Sequence, residues 1–171
     1  MSVELEHPSP SQDERNWAML AHLSALLTVF TALATGGPGY VVALAVPLGL
    51  YLYFSRRSEY VAFHALQATV FQALAGVAYV AVAALAGAIL ATAWAVTGVL
   101  TVLVVGLFLL PVALGLTFIT AAELLGLPVL ALAYALRGAF LTYEGHDFSY
   151  PLVGPLAARA LQRPARPAAA T

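Results

Sequence analysis

Long apolar segments separated by short turns dominate this chain, and their lengths predict helices that cross a membrane. The first segment, 17–35, has close to the ~20 residues that a helix needs to span a bilayer. The Gly-Gly-Pro-Gly sequence at 36–39 predicts a tight reversal, because it cannot easily continue a helix. A second, shorter span is expected at 40–54, with a kink at Pro47, where one backbone hydrogen bond is lost.

The second half of the chain predicts two longer helices, at about 61–93 and 98–142. No Asp, Glu, Lys or Arg occurs between Tyr60 and Ala122. The third helix is longer than a ~30 Å hydrocarbon core requires, so we expect it to tilt or bend. Glycine and proline predict a break near 121–128 in the fourth helix, although an interfacial helix or an extra span is also compatible with this part of the sequence.

The expected fold class is all-α, an integral membrane protein with a four-helix transmembrane bundle, a long third helix and a broken fourth. Residues 1–14 are acidic and contain two prolines, which predicts a disordered N-terminal tail. The four-span membrane domain is expected at 15–162. A second disordered tail, rich in proline and alanine, is expected at 163–171.

Composition excludes a soluble protein and most enzyme classes. The chain is 62% hydrophobic and 9% charged, whereas a soluble domain has roughly 25% charged residues. Its net charge of −1 gives no broad field to attract nucleic acid. The absence of cysteine excludes disulfides and thiolate chemistry, and the chain has no Walker loop, GxSxG elbow or HExxH helix. We therefore expect no enzymatic activity, no cofactor and no metal.

The arginines predict the orientation of the chain in the membrane. Positively charged loops favour the cytoplasmic side. With the N-terminus inside and four crossings, all seven arginines fall on that side, whereas a fifth crossing would place the last four outside. This pattern predicts a multi-pass protein of the bacterial cytoplasmic (inner) membrane with both termini in the cytoplasm. The topology determinants are Arg15, Arg56, Arg57, Arg137 and Arg159.

Four polar side chains inside apolar segments form a candidate intramembrane polar cluster: His22, His64, Gln67 and Gln72. A helical wheel places the last three on one side of the third helix. His22 is expected at a similar depth to His64, because both helices start on the cytoplasmic side and each has its histidine a few residues from the start. They could join helices through hydrogen bonds worth roughly 0.6–2 kcal/mol each. Alternatively they could line a pathway, and a histidine pair could respond to pH. A metal site that combines these histidines with His146 lacks ligand spacing and is not expected.

One segment of the third helix, VAFHALQA at 61–68, carries a family resemblance together with residues near the C-terminus. It resembles a bacterial domain-of-unknown-function family that is grouped with the small Tic-twenty component of the chloroplast inner-envelope import machinery. The resemblance implies a four-helix membrane protein with both ends on one side and no enzymatic activity. The matching positions are Phe63, His64, Ala65, Gln67, Ala68, Phe71, Gln72, Gly145, Tyr150 and Pro151.

These features together favour a non-enzymatic accessory or scaffold subunit of a membrane complex. Its expected partners are the lipid bilayer and other membrane proteins or further copies of the chain, and not nucleic acid. The alternative is a small channel or transporter for a proton, ion, small solute or peptide, with the polar cluster along its path.

Overall fold

The computed structural model describes residues 9–161, and this part of the chain is built from helices without strands. The expected all-α class is therefore confirmed. The N-terminal residues 1–8 and the tail predicted at 163–171 lie outside the described residues. The six helices are α1 (Gln12–Thr35), α2 (Gly39–Ala43), α3 (Ala45–Phe54), α4 (Glu59–Thr101), α5 (Gly106–Tyr143) and α6 (Val153–Ala160).

Helix α1 begins at Gln12, within the tail that the sequence predicted at 1–14. Ser11 is its N-cap, and the side chain of Glu14 returns to the Ser11 backbone while the Ser11 hydroxyl accepts from the Glu14 N–H. This capping box satisfies backbone donors that the first turn would otherwise leave unpaired. The helix ends at Gly36, whose φ of 66° favours glycine because a Cβ would be strained there.

The second apolar segment forms two short helices rather than one kinked helix. Helices α2 and α3 meet at Leu44, three residues before Pro47. Proline has no N–H to donate to the carbonyl of Ala43, and its ring crowds that carbonyl. The proline therefore interrupts the helix one turn earlier, between Ala43 and Ala45.

Helix α4 is longer than the predicted 61–93, whereas helix α5 begins later than the predicted 98–142 and is shorter. At 1.5 Å per residue they measure about 65 Å and 57 Å. The turn between them lies at 102–105, later than the turn that the expected spans 61–93 and 98–142 imply. The break predicted near 121–128 is wrong, because α5 is continuous from Gly106 to Tyr143. Pro128 removes only one backbone donor, and Gly126 keeps a negative φ, so the helix continues through both.

Within residues 9–161, three helices are long and apolar enough to cross a membrane, namely α1, α4 and α5. The segment Gly39–Phe54 is apolar but shorter. Length and composition thus support a membrane protein, while they do not specify the four-helix bundle that the sequence predicted.

The described residues group into two compact units. The first unit contains the chain up to Ala73 and from Leu132 onward. It holds α1, α2, α3 and α6, together with the first turns of α4 and the last turns of α5. The other, Leu74–Ala131, contains the rest of α4 and α5, where the Trp94 indole donates a hydrogen bond of 3.1 Å to the Thr117 hydroxyl. All four residues of the expected polar cluster belong to the first unit.

Candidate functional site

Two buried histidines from different helices meet at the centre of the first unit. The Nε2 atom of His22 in α1 lies 3.3 Å from Nδ1 of His64 in α4, and both residues have no exposed surface. On the other side of its ring, Nδ1 of His22 lies 3.0 Å from the Tyr150 hydroxyl. Burial, reinforced by the neighbouring Tyr134, raises the pKa of Tyr150, so its hydroxyl stays protonated and can donate to His22. With Tyr150 as the donor to Nδ1, a neutral His22 ring has its proton on Nε2 and can donate it to Nδ1 of His64.

Aromatic rings enclose the two imidazoles. The Phe148 ring meets His22 edge-on at 5.5 Å, and the Tyr60 ring meets His64 at 4.6 Å. Tyr150 stacks flat on Phe71, with ring centroids 4.1 Å apart. Such contacts add roughly 0.5–1.5 kcal/mol each beyond the area that they bury. The rings therefore fix the histidines in place as well as separating them from the surroundings.

Gln67 binds the backbone of a segment that follows α5, and we call residues 144–152 the C-terminal strap. The Gln67 Nε2 donates to the Phe148 carbonyl at 3.2 Å, and the Gln67 Oε1 accepts from the Tyr150 N–H at 3.0 Å. One carboxamide thus satisfies the peptide groups on both sides of Ser149. Because these backbone groups are buried, they would be costly to leave without partners.

Gln72 lies five residues after Gln67 in α4, about one and a half turns further along, and joins α4 to α1 and α2. Its Oε1 accepts from the Thr28 hydroxyl at 2.8 Å, and its Nε2 donates to the Ser24 hydroxyl at 2.9 Å. The Tyr40 hydroxyl donates to the Gln72 backbone carbonyl. The structure therefore brings His22 and His64 together, whereas each glutamine has its own set of partners.

The other positions that carried the family resemblance also lie in the first unit, and several of them pack in its interior. Ala65 and Ala68 are fully buried against α1, and Phe63 packs on Ala157 and Ala158 of α6. Pro151 is exposed at the end of the strap, next to the buried Tyr150. These positions describe one buried face of α4 and the segment that covers it.

The arginines expected to set topology occupy several helix ends. Arg15 lies in the first turns of α1, with its side chain against Gly145, which has a φ of 86°. Arg56 and Arg57 occupy the turn between α3 and α4, and the Arg57 guanidinium lies 4.0 Å above the Tyr53 ring. Arg137 and Arg159 lie near the ends of α5 and α6.

His146 does not join the buried histidines. It is exposed, and its Nδ1 lies 3.5 Å from the Glu144 carboxylate. Within residues 9–161, no three side chains of the types that bind metals come together. The metal site considered for His22, His64 and His146 is thus not assembled by this part of the chain.

Several contacts in this unit could not be identified from the sequence pattern alone. The Ser58 hydroxyl accepts from the Val61 N–H and donates to the Glu14 carboxylate at 2.7 Å, so it joins the starts of α4 and α1. A serine just before a long apolar run is an N-cap signal that could have indicated the first of these contacts. Gly138 leaves room for the Phe148 ring, because a Cβ at this position would lie 2.7 Å from it.

Comparison with known proteins corrects the expected family. The sequence model of the MamF/MmsF family, described as a magnetosome magnetite crystal formation protein family, matches residues 13–157. The resemblance to the family grouped with the Tic-twenty component is therefore wrong. Its motif positions in α4 lie mostly on one buried face of that helix, and the others lie in the strap. No curated protein and no solved structure matches the chain. Because the match covers most of its length, the chain belongs to the magnetosome magnetite crystal formation protein family.

Proposed function

We propose that this chain is a multi-pass protein of the magnetosome membrane and a non-enzymatic accessory subunit in magnetite crystal formation. The family match over residues 13–157 is the observation that carries this proposal. The long apolar helices α1, α4 and α5 support a location in the membrane. Other magnetosome membrane proteins, or further copies of the chain, are its proposed partners.

The contacts of the polar residues favour a structural role for them. His22 and Gln72 connect α1 with α4, and Gln67 connects α4 with the C-terminal strap. Contacts of this type contribute roughly 0.6–2 kcal/mol each in a membrane. The polar residues therefore hold segments of one unit together.

For the topology, we propose four crossings with both ends on the cytoplasmic side. Helices α2 and α3 would together form the second, short crossing. A reporter that is active only outside the cytoplasm, fused after Leu161, should be inactive, and one fused in the 36–39 turn should be active. An active reporter after Leu161 would contradict this topology.

A channel or transporter is the second candidate, and one observation favours it. Tyr150, His22 and His64 form a chain of hydrogen bonds of the kind that can pass protons. In proteoliposomes that contain the purified chain, a proton path would produce a flux that His64→Gln abolishes. An accessory subunit should give no flux above empty vesicles.

Isolation of magnetosomes tests the proposed location. A tagged chain expressed at its native level should be enriched in magnetically purified magnetosomes relative to the remaining inner membrane, and gentle solubilisation should retain partner proteins. An unrelated inner-membrane protein with the same tag serves as the control. Equal distribution of the two tagged proteins would contradict a magnetosome-specific role.

A further inference from the structure

The hydrogen bond between His22 and His64 requires that one of the facing nitrogens carries no proton. These nitrogens lie 3.3 Å apart, so a single proton between them makes a hydrogen bond. If both rings were protonated, each of the two nitrogens would carry a proton. Two positive rings would then face each other in a buried site, where little water is available to screen their repulsion. The closed arrangement therefore excludes the doubly protonated pair.

The other titratable groups around the pair are mostly tyrosines. Tyr150 of the strap and Tyr60 of α4 contact the rings, and Tyr134 of α5 packs against Tyr150. Among the carboxylates on these elements, Glu14 of α1 is held by Ser11 and Ser58, and Glu144 of the strap lies against His146. Glu59 of α4 and Asp147 of the strap also have interactions of their own. Among the cations, Arg15 of α1 lies against Gly145, and Arg137 and Arg159 are exposed on α5 and α6.

The same histidines hold the strap in place. His22 bonds the Tyr150 hydroxyl, and its ring packs against Phe148 of the strap. Gln67 anchors the strap next to this contact, and Gly145 near the start of the strap has a positive φ that marks a sharp turn. Separation of the histidine rings would therefore disturb the strap at its most buried side chain.

We propose that His22, His64 and Tyr150 form a pH-sensitive latch, which holds the C-terminal strap closed near neutral pH and releases it in acid. In the released state water reaches both imidazoles, so both can bind protons in acid, as exposed imidazoles do below about pH 6.5. The closed state binds at least one proton fewer, so its stability relative to the released state falls as the pH drops through this range. The closed-to-released ratio should decrease about tenfold between pH 7.5 and 5.5. This latch does not depend on the proposed role in magnetite formation.

Hydrogen exchange measured by mass spectrometry on the full chain in lipid nanodiscs tests the latch. After correction for intrinsic exchange, the strap amides, including the Tyr150 N–H, should lose about tenfold protection between pH 7.5 and 5.5. His64→Gln keeps a hydrogen-bonding side chain but leaves one imidazole to bind a proton, so its loss of protection in acid should be smaller than that of the native chain. The exposed His146→Gln is the matched control and should behave like the native chain.

Two results would overturn the latch. One is equal protection of the native strap at both pH values, and the other is the same pH-dependent loss in His64→Gln as in the native chain. If His64→Gln does not fold, His22→Gln removes the pair from the opposite helix, and the same outcomes apply to it.

Discussion

Replacement of Gln67 with alanine is expected to destabilise the first unit by about 2–5 kcal/mol. The substitution leaves the Phe148 carbonyl and the Tyr150 N–H buried without their partner, and each orphaned group costs roughly 1–3 kcal/mol. It also removes packing volume from a fully buried position. Unfolding of the detergent-solubilised chain by denaturant measures the loss.

A matched control for this substitution lies on the surface of α1. Gln12 is exposed and donates a hydrogen bond of 3.0 Å to the half-buried Asn16 one turn away, so Gln12→Ala should change stability by less than about 0.5 kcal/mol. The two variants lose the same side-chain atoms and differ in burial and partners. Equal effects of the two substitutions would show that Gln67 does not anchor the strap.

Substitution of Gly138 by alanine should also destabilise the fold, although alanine is the better helix former. A Cβ at this position would lie 2.7 Å from Cε1 of Phe148 and 3.2 Å from Nδ1 of His22. The aromatic ring would have to move, and overpacking of this kind costs about 1–3 kcal/mol. Thermal unfolding of the purified variant, followed by circular dichroism, should show a lower midpoint.

Gly126 provides the control for this substitution in the same helix. No atom lies within 4 Å of a Cβ built there, so Gly126→Ala should be neutral or stabilise α5 by up to about 1 kcal/mol. Opposite signs for the two substitutions are therefore expected. A lower midpoint for Gly126→Ala and an unchanged one for Gly138→Ala would contradict the packing around Phe148.

The existence of the long helices could be predicted from the sequence, whereas some of their limits could not. An uncharged run of this length has few structural options in a membrane, so α1, α4 and α5 were expected. The turn at 102–105 is itself apolar and contains neither glycine nor proline, so no local signal marks it. Conversely, Gly126 and Pro128 predict a break that does not occur. The helix has regular hydrogen bonds on both sides of these residues, so it continues although Pro128 removes one backbone donor.

The site could be predicted in part for a similar reason. His22, His64, Gln67 and Gln72 stand out in apolar segments, and burial of a polar group requires a partner. The identity of the partners was not predictable, because Gln67 bonds backbone groups more than 80 residues later in the chain. Backbone groups have no residue-specific pattern, so only the path of the strap reveals them.

The dimensions of magnetite crystals in cells provide the most direct measurement of the proposed function. In a magnetite-forming strain that carries this gene, deletion should change the length distribution of crystals seen by electron microscopy, and the native chain should restore it. At equal protein levels, Gly126→Ala should also restore it, and Gln67→Ala should not. Crystals of unchanged number, size and shape in the deletion strain would contradict a role for this chain in magnetite crystal formation.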